Sequence, residues 1–162
     1  MTDFDAFGHD DAWRLGSDLV AECRARELPV TITVHLGEQR VFHAALPGTS
    51  ADNDHWAMRK TRVVWRFDRS SHEVGEAYGT GFLAGFGLSA AEYAPTGGAV
   101  PIRVRGSLVG VLAVSGLTSA DDHELGMAAL RRLREAPADG SESRFRQPSA
   151  VDDDAKLSDP RG

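Results

Sequence analysis

Cysteine is nearly missing: of 162 residues, Cys23 alone carries a thiol. One thiol cannot close an internal disulfide or build a multi-cysteine metal site, which fits a reducing compartment, so a cytoplasmic location is expected. Long apolar runs are missing too. No stretch approaches the roughly 20 residues that a membrane-crossing helix needs, so no membrane span is expected. The opening MTDFDAFGHDDAW is acidic and lacks a charged-then-apolar leader pattern, which argues against secretion. Basic excess is absent as well. Lys and Arg total 18 against 24 Asp and Glu, a net charge of -6, so a general nucleic-acid partner is excluded. The six histidines show neither HExxH nor HxxxH spacing, and no metal centre is expected. The dinucleotide, P-loop and G-x-S-x-G fingerprints do not occur.

What is present is an ordinary soluble composition, 41% hydrophobic and 26% charged, in a chain long enough to bury a core. Residues 1–136 read as one domain. Residues 137–162 hold few apolar groups among scattered Pro, Ser, Gly and Asp, and read as a disordered or loosely attached tail. Asp152 to Asp154 there read as a solvated acidic run.

From about Asp10 to Glu27 the residues Ala12, Leu15, Gly16, Leu19, Val20 and Cys23 recur at helical spacing. Asp10 or Asp11 is a competent cap, and Pro29 ends the helix. Cys23 falls in the apolar stripe, which suits a packed thiol better than a nucleophile. Val30, Ile32, Val34 and Leu36 alternate with polar residues as in a strand, and Gly37-Glu38 is a hairpin turn. The returning strand, residues 39–46, is largely apolar on both faces, which predicts a sheet covered on both sides. A two-residue turn puts Ile32 opposite His43 and points His43 at a packed face; a shift of one residue reverses that.

Thr49 to Asn53 offer several helix caps. Trp56, Lys60, Val63, Val64 and Phe67 mark the buried stripe of the helix that follows. Ser70-Ser71 interrupts it, and it resumes through Val74, Tyr78 and Phe82. Ser89 with Glu92 predicts one short capped turn. Val100, Ile102 and Val104 form a strand in which Pro101 implies an edge or a strand start. A turn at Gly106-Ser107 leads into the apolar LVGVLAVS, an interior strand. Thr118 or Ser119 caps a last helix whose Leu125, Ala129, Leu130 and Leu133 face the core. The order helix, hairpin, long helix, hairpin, helix predicts an α+β fold: an α-β-α sandwich with a central antiparallel sheet of at least four strands and helices on its faces.

Gly97-Gly98-Ala99-Val100-Pro101-Ile102, then Gly106, then Leu108-Val109-Gly110 and Val114-Ser115-Gly116, resembles the haem-degrading-domain superfamily. That group includes haem-binding sensors and glycolate-operon proteins. FHAALPGTSADNDHW, EYAPTGG and DDHE narrow the likeness to an uncharacterised cytosolic subfamily of small proteins in bacteria and fungi. The likeness spans about Asp10 to Leu133. It implies a profilin-like fold, a homo-oligomer (dimer or higher) and haem as a cofactor.

The candidate ligand site joins two arms at one end of the sheet: His43, Asp52, Asn53, Trp56, Arg59 and Lys60 from one, Tyr93, Thr96, Gly97 and Gly98 from the other. Several of these residues have a plainer reading. His43 is a satisfied core histidine, or else a haem ligand or general base. Arg59 and Lys60 snorkel along the stripe edge, or one of them meets an anionic ligand or the Asp52–Asp54 cluster of a neighbouring subunit. Gly97-Gly98 is a structural turn, or a nest of N–H groups for an anion. His123 reads as an exposed polar residue near a helix start. Two functions follow: binding of haem or another small anionic ligand between subunits, or a non-enzymatic oligomeric adaptor that contacts other proteins through Trp56, Trp65 and the glycine-rich segment 79–87. Whether any reaction is catalysed stays open.

Overall fold

A computed structural model describes residues 3–136; the tail read at residues 137–162 lies outside the described residues. Helix α1 (His9–Ala25) starts one residue before its expected position. Its N-cap is Gly8, whose amide donates to the Asp11 carboxylate at 2.8 Å. Asp10 and Asp11 occupy the first turn, where negative charge suits the helix dipole. The helix stops before Pro29 is reached. Glu27 turns left-handed (φ 53), and the Leu28 amide returns to the Cys23 carbonyl at 2.9 Å, a Schellman closure.

Strands β2 (Thr31–Leu36) and β3 (Gln39–Ala45) form the first hairpin around the expected Gly37-Glu38 turn. Their register corrects the expectation. His43 stands opposite Thr33, and Ile32 faces Ala44, because the pairing shifts by one residue between Val34 and His35. An extra residue in one strand of a pair reverses the facing of everything beyond it. His43 is therefore exposed, not packed. Strand β3 is a sheet edge of exposed and half-buried residues, although the sheet it belongs to is covered by helices on both faces.

Helix α2 (Ala51–Phe67) follows, with the Ser50 amide bonded to Asn53 Oδ1 at 2.9 Å. Asp68 ends it in the left-handed region. A capping box at Ser70 and Glu73 starts α3 (Ser71–Tyr78). A 3-10 turn (Gly79–Gly81) and a short α4 (Phe82–Phe86) complete this arm. Ser89 closes a single turn on Tyr93 and Glu92 but starts no helix.

Strands β4 (Ala99–Val104) and β5 (Ser107–Ser115) form the second hairpin. Its turn is Arg105-Gly106, one residue earlier than expected, and both residues have positive φ (51° and 82°), as a tight hairpin turn requires. Helix α5 (Ser119–Glu135) is capped by the Thr118 hydroxyl, which accepts from the Asp121 amide. A two-residue β1 (Asp3–Phe4) pairs parallel to β4; it is too short to leave any periodicity in the sequence.

The five-stranded sheet runs β1-β4-β5-β2-β3. Alternation puts Ile32, Val34, Val100, Ile102, Leu112 and Val114 on the face under α1 and α5, where they meet Leu15, Leu19, Cys23, Leu125 and Leu130. Ala99, Val111 and Ala113 face α2, against Ala57, Val64 and Trp65. Each large apolar side chain buried in this way contributes about 1.5–3 kcal/mol. The α+β sandwich, with helices on both faces of a mainly antiparallel sheet, is as the sequence predicts.

Two clefts at one end of the sandwich

The two arms meet above the C-terminal end of β5. Lys60 projects from α2 and is buried, with its side chain 5% exposed. Its Nζ donates to Asp122 Oδ2 at 2.8 Å and to the Val114 carbonyl at 3.2 Å. Asp122 also accepts from the Leu117 amide at 3.0 Å and the Gly116 amide at 3.4 Å. Lys60 thus neither snorkels nor meets Asp52–Asp54. It pins α2 to the first turn of α5 across the sheet end.

The double glycine exists for this contact. A Cβ on Gly98, whose φ is +132°, would lie 2.3 Å from the Val114 carbonyl oxygen and 2.7 Å from Lys60 Nζ. A Cβ on Gly97 would lie 2.1 Å from the Ser119 carbonyl oxygen. The Gly97 amide donates to Ser119 Oγ at 2.7 Å, so it is not free to cradle an anion. That takes one of the two N–H groups a nest would need and favours the structural turn.

Asp52, Asn53, Trp56, Lys60 and Thr96 line one open cleft of about 310 Å³, with Ser119 and Asp122 opposite. The other members of the expected set lie around it. Arg59 stacks its guanidinium 4.2 Å above the Trp56 ring. His43 Nε2 bonds Asp54 Oδ1 at 2.9 Å in a pair about one-third exposed. Tyr93 packs apart, against Val63, Val74 and Phe82.

A second cleft, of about 330 Å³, is built from residues that no sequence motif joins. It runs between α3, β4 and α5, lined by Arg69, Glu73, Pro101, Arg103, His123 and Met127 among others. Arg103 is buried and pairs with Asp68 at 2.7 Å, and its Nε has no partner. His123 is half-buried and not an exposed helix-start residue. Its ring stacks on His72 with centroids 4.5 Å apart, and its buried Nδ1 has no partner. Burial first, and then His72, push the His123 imidazole below its ordinary pKa of 6.5. Burial works against ionisation of Glu73 too, but hydrogen bonds from Ser70 outweigh it and hold that carboxyl below its ordinary range. The sequence signal available was the pair His72 and His123, whose proximity depends on α3 reaching α5.

The chain belongs to the family of HbpS-like haem-degrading proteins, whose pattern it matches over residues 7–131. A UPF0303 protein of Streptomyces coelicolor is 47% identical over 134 residues, covering 80% of this chain and 85% of that protein. The crystal structure of Ybr137w protein superposes with a TM-score of 0.77 at 28% identity, covering 82% of this chain and 81% of that one. A PduOC:Heme complex superposes with a TM-score of 0.67 at 17% identity, covering 78% and 94%. At that identity the last likeness shows the fold alone.

Proposed function

We propose that this protein binds haem in the α3–β4–α5 cleft, as a cytoplasmic homo-oligomer in which a second copy closes the open side. Membership of a family described as haem-degrading, and a structural relative solved with haem, support the ligand class. The observation that carries the placement is His123. Its burial favours the neutral imidazole, the form that ligates metal, and its Nδ1 is unpartnered. Pro101, Met127 and Leu130 supply an apolar wall, and the exposed Arg69 supplies a cation at the rim for a carboxylate. Haem bound there would bring a redox-active iron. The volume, about 330 Å³, is at the small end of the roughly 300–1,000 Å³ of ligand sites, which suits part of a tetrapyrrole and leaves the rest to a partner copy.

The Lys60 cluster fits haem less well. Its ammonium is engaged by Asp122, its Gly97 amide by Ser119, and its histidine, His43, by Asp54. Titration with hemin, followed at the Soret band, separates the sites. The expected result is saturable binding that His123→Ala abolishes and His43→Ala leaves unchanged. Loss in His43→Ala alone would return the ligand to the first arm; no saturable shift in the parent protein would end the haem reading.

The adaptor reading has one observation in its favour. Phe67, Tyr78, Phe82 and Phe86 form a ring cluster with centroids 4.9–6.2 Å apart, and Tyr78 and Phe86 are 46% and 40% exposed. A silent hemin titration, together with a specific partner lost in Phe86→Ser, would favour it.

A further inference from the structure

The Lys60 cleft carries unanswered polar groups. An ammonium has three N–H donors. Lys60 spends one on Asp122 and one on Val114, and the third has no acceptor among the described residues. The Thr96 hydroxyl, on the wall of the same cleft, is buried and has no partner. The Ser119 hydroxyl accepts from Gly97 and keeps its own proton. The Asn53 amide oxygen is taken by Ser50, which leaves its NH₂ to donate. Lys60 and the Thr96 hydroxyl are buried, while Asn53 is half-buried and Ser119 exposed at the mouth, so the cleft calls for a partner that brings both acceptors and donors to its floor.

Charge decides what that partner is. Among the lining side chains, Asp52 and Asp122 outnumber Lys60. The N-termini of α2 and α5 both converge on the cleft, and such ends attract anions. Here their own first-turn carboxylates, Asp52 and Asp54 on α2 and Asp121 and Asp122 on α5, already answer them. A carboxylate or phosphate would enter against that charge. Trp56 adds an apolar ring to the wall, with Nε1 bonded to Asp52 at 3.2 Å.

We infer that the cleft is a binding site for a small, uncharged, hydroxyl-rich molecule of about monosaccharide size. One of its oxygens accepts from Lys60, a hydroxyl pairs with Thr96, another donates to the Asp52 carboxylate, and its C–H groups meet the part of the Trp56 ring that Arg59 does not cover. The cleft volume, about 310 Å³, suits a ligand of that size. The site is separate from the α3–β4–α5 cleft and does not depend on haem.

D-glucose and D-gluconate test the inference, because they share hydroxyls and differ in charge. The Trp56 indole N–H resonance, assigned with Trp56→Phe, is followed as each is added to the full-length protein. The expected result is a saturable shift with glucose, and binding of gluconate weaker by about tenfold or more. Thr96→Val removes the unpartnered hydroxyl at nearly constant volume; it should weaken glucose binding several-fold without lowering the melting temperature. Gluconate binding as tightly as glucose, no shift with either compound, or full glucose affinity in Thr96→Val would each overturn it.

Discussion

The Ser71 hydroxyl bonds both backbone groups of Ala99, accepting from its N–H at 3.1 Å and donating to its C=O at 3.3 Å. One side chain thus takes the place of a neighbouring strand at the start of β4. Replacing it strands both groups in a buried place, since Ser71 and Ala99 are fully enclosed. Ser71→Ala should cost about 1–3 kcal/mol in urea unfolding. A loss under about 0.5 kcal/mol would mean that the edge of β4 is hydrated once the hydroxyl is gone.

The Lys60–Asp122 pair should behave as a buried ion pair does. Lys60→Met leaves Asp122 charged and enclosed, and should cost about 3–5 kcal/mol. The double variant Lys60→Met, Asp122→Leu removes both charges and should recover most of that loss. Equal instability of the single and double variants, by chemical denaturation, would show that the bonds to Val114, Gly116 and Leu117 matter more than the charges.

Glycines with positive φ should differ by what surrounds them. Gly106 (φ +82°) has nothing within 4 Å of a built Cβ, whereas Gly98 (φ +132°) has the Val114 carbonyl at 2.3 Å. Gly106→Ala should therefore cost only the backbone term, about 1–2 kcal/mol. Gly98→Ala should cost clearly more, and should shift the Lys60 and Asp122 resonances. Similar losses at the two positions would remove close packing as the reason for the double glycine.

His35 and His123 are both held below the ordinary 6.5, His35 by burial and then by Arg40. The unfolded chain therefore takes up protons first as pH falls. Stability should be full above about pH 6.5, decline below it, and level off for this contribution once the folded pKa values are passed. Around His123 the charged and titratable neighbours are His72, Glu73, Glu124 and Arg131. Denaturation midpoints between pH 8 and 5.5 should fall in the parent and fall less in His123→Gln. Glu73 adds a further loss only at lower pH, below its ordinary 4.5.

Cys23 is fully enclosed, and burial pushes its thiol up to about 11. At pH 8 the native protein should resist Ellman's reagent, and one thiol should react fully in denaturing urea. Fast labelling of the native state would show that α1 opens readily from the sheet.

The periodic elements were legible in the sequence because their signals are local. Leu15, Leu19 and Cys23 mark α1, and the alternation from Val30 to Leu36 marks β2. Pro101 lies neither at a sheet edge nor at a strand start, but β1 pairs only with Arg103 and Val104 of β4, so the missing N–H falls where no strand needs it. The candidate set was legible in part: Asp52, Asn53, Trp56, Lys60 and Thr96 share a cleft. What failed depends on through-space pairing. The facing of His43 turns on one bulge. The partner of Lys60 lies 62 positions along the chain, and Asp122 sits in a helix first turn, where an acidic residue is ordinary. His72 and His123 are polar residues on separate helices, and nothing in either local pattern announces that they stack.

The edges of the sheet have unequal prospects. Along β4, a two-residue strand, the Ser71 hydroxyl and the missing N–H of Pro101 leave no continuous row of donors and acceptors. Along β3 the outer backbone from Gln39 to Ala45 has no strand beside it among the described residues. Among the described residues, a full-length free edge lies on the β3 side only. A molecule with a single usable edge can be joined to one neighbour through its sheet, and a two-fold axis then closes the contact. Self-pairing in which Phe42 faces Phe42 would set Arg40 against Ala44 and Val41 against His43, with no like charges opposed. The short cover over β4 thus leaves the β3 side as the one long free edge among the described residues.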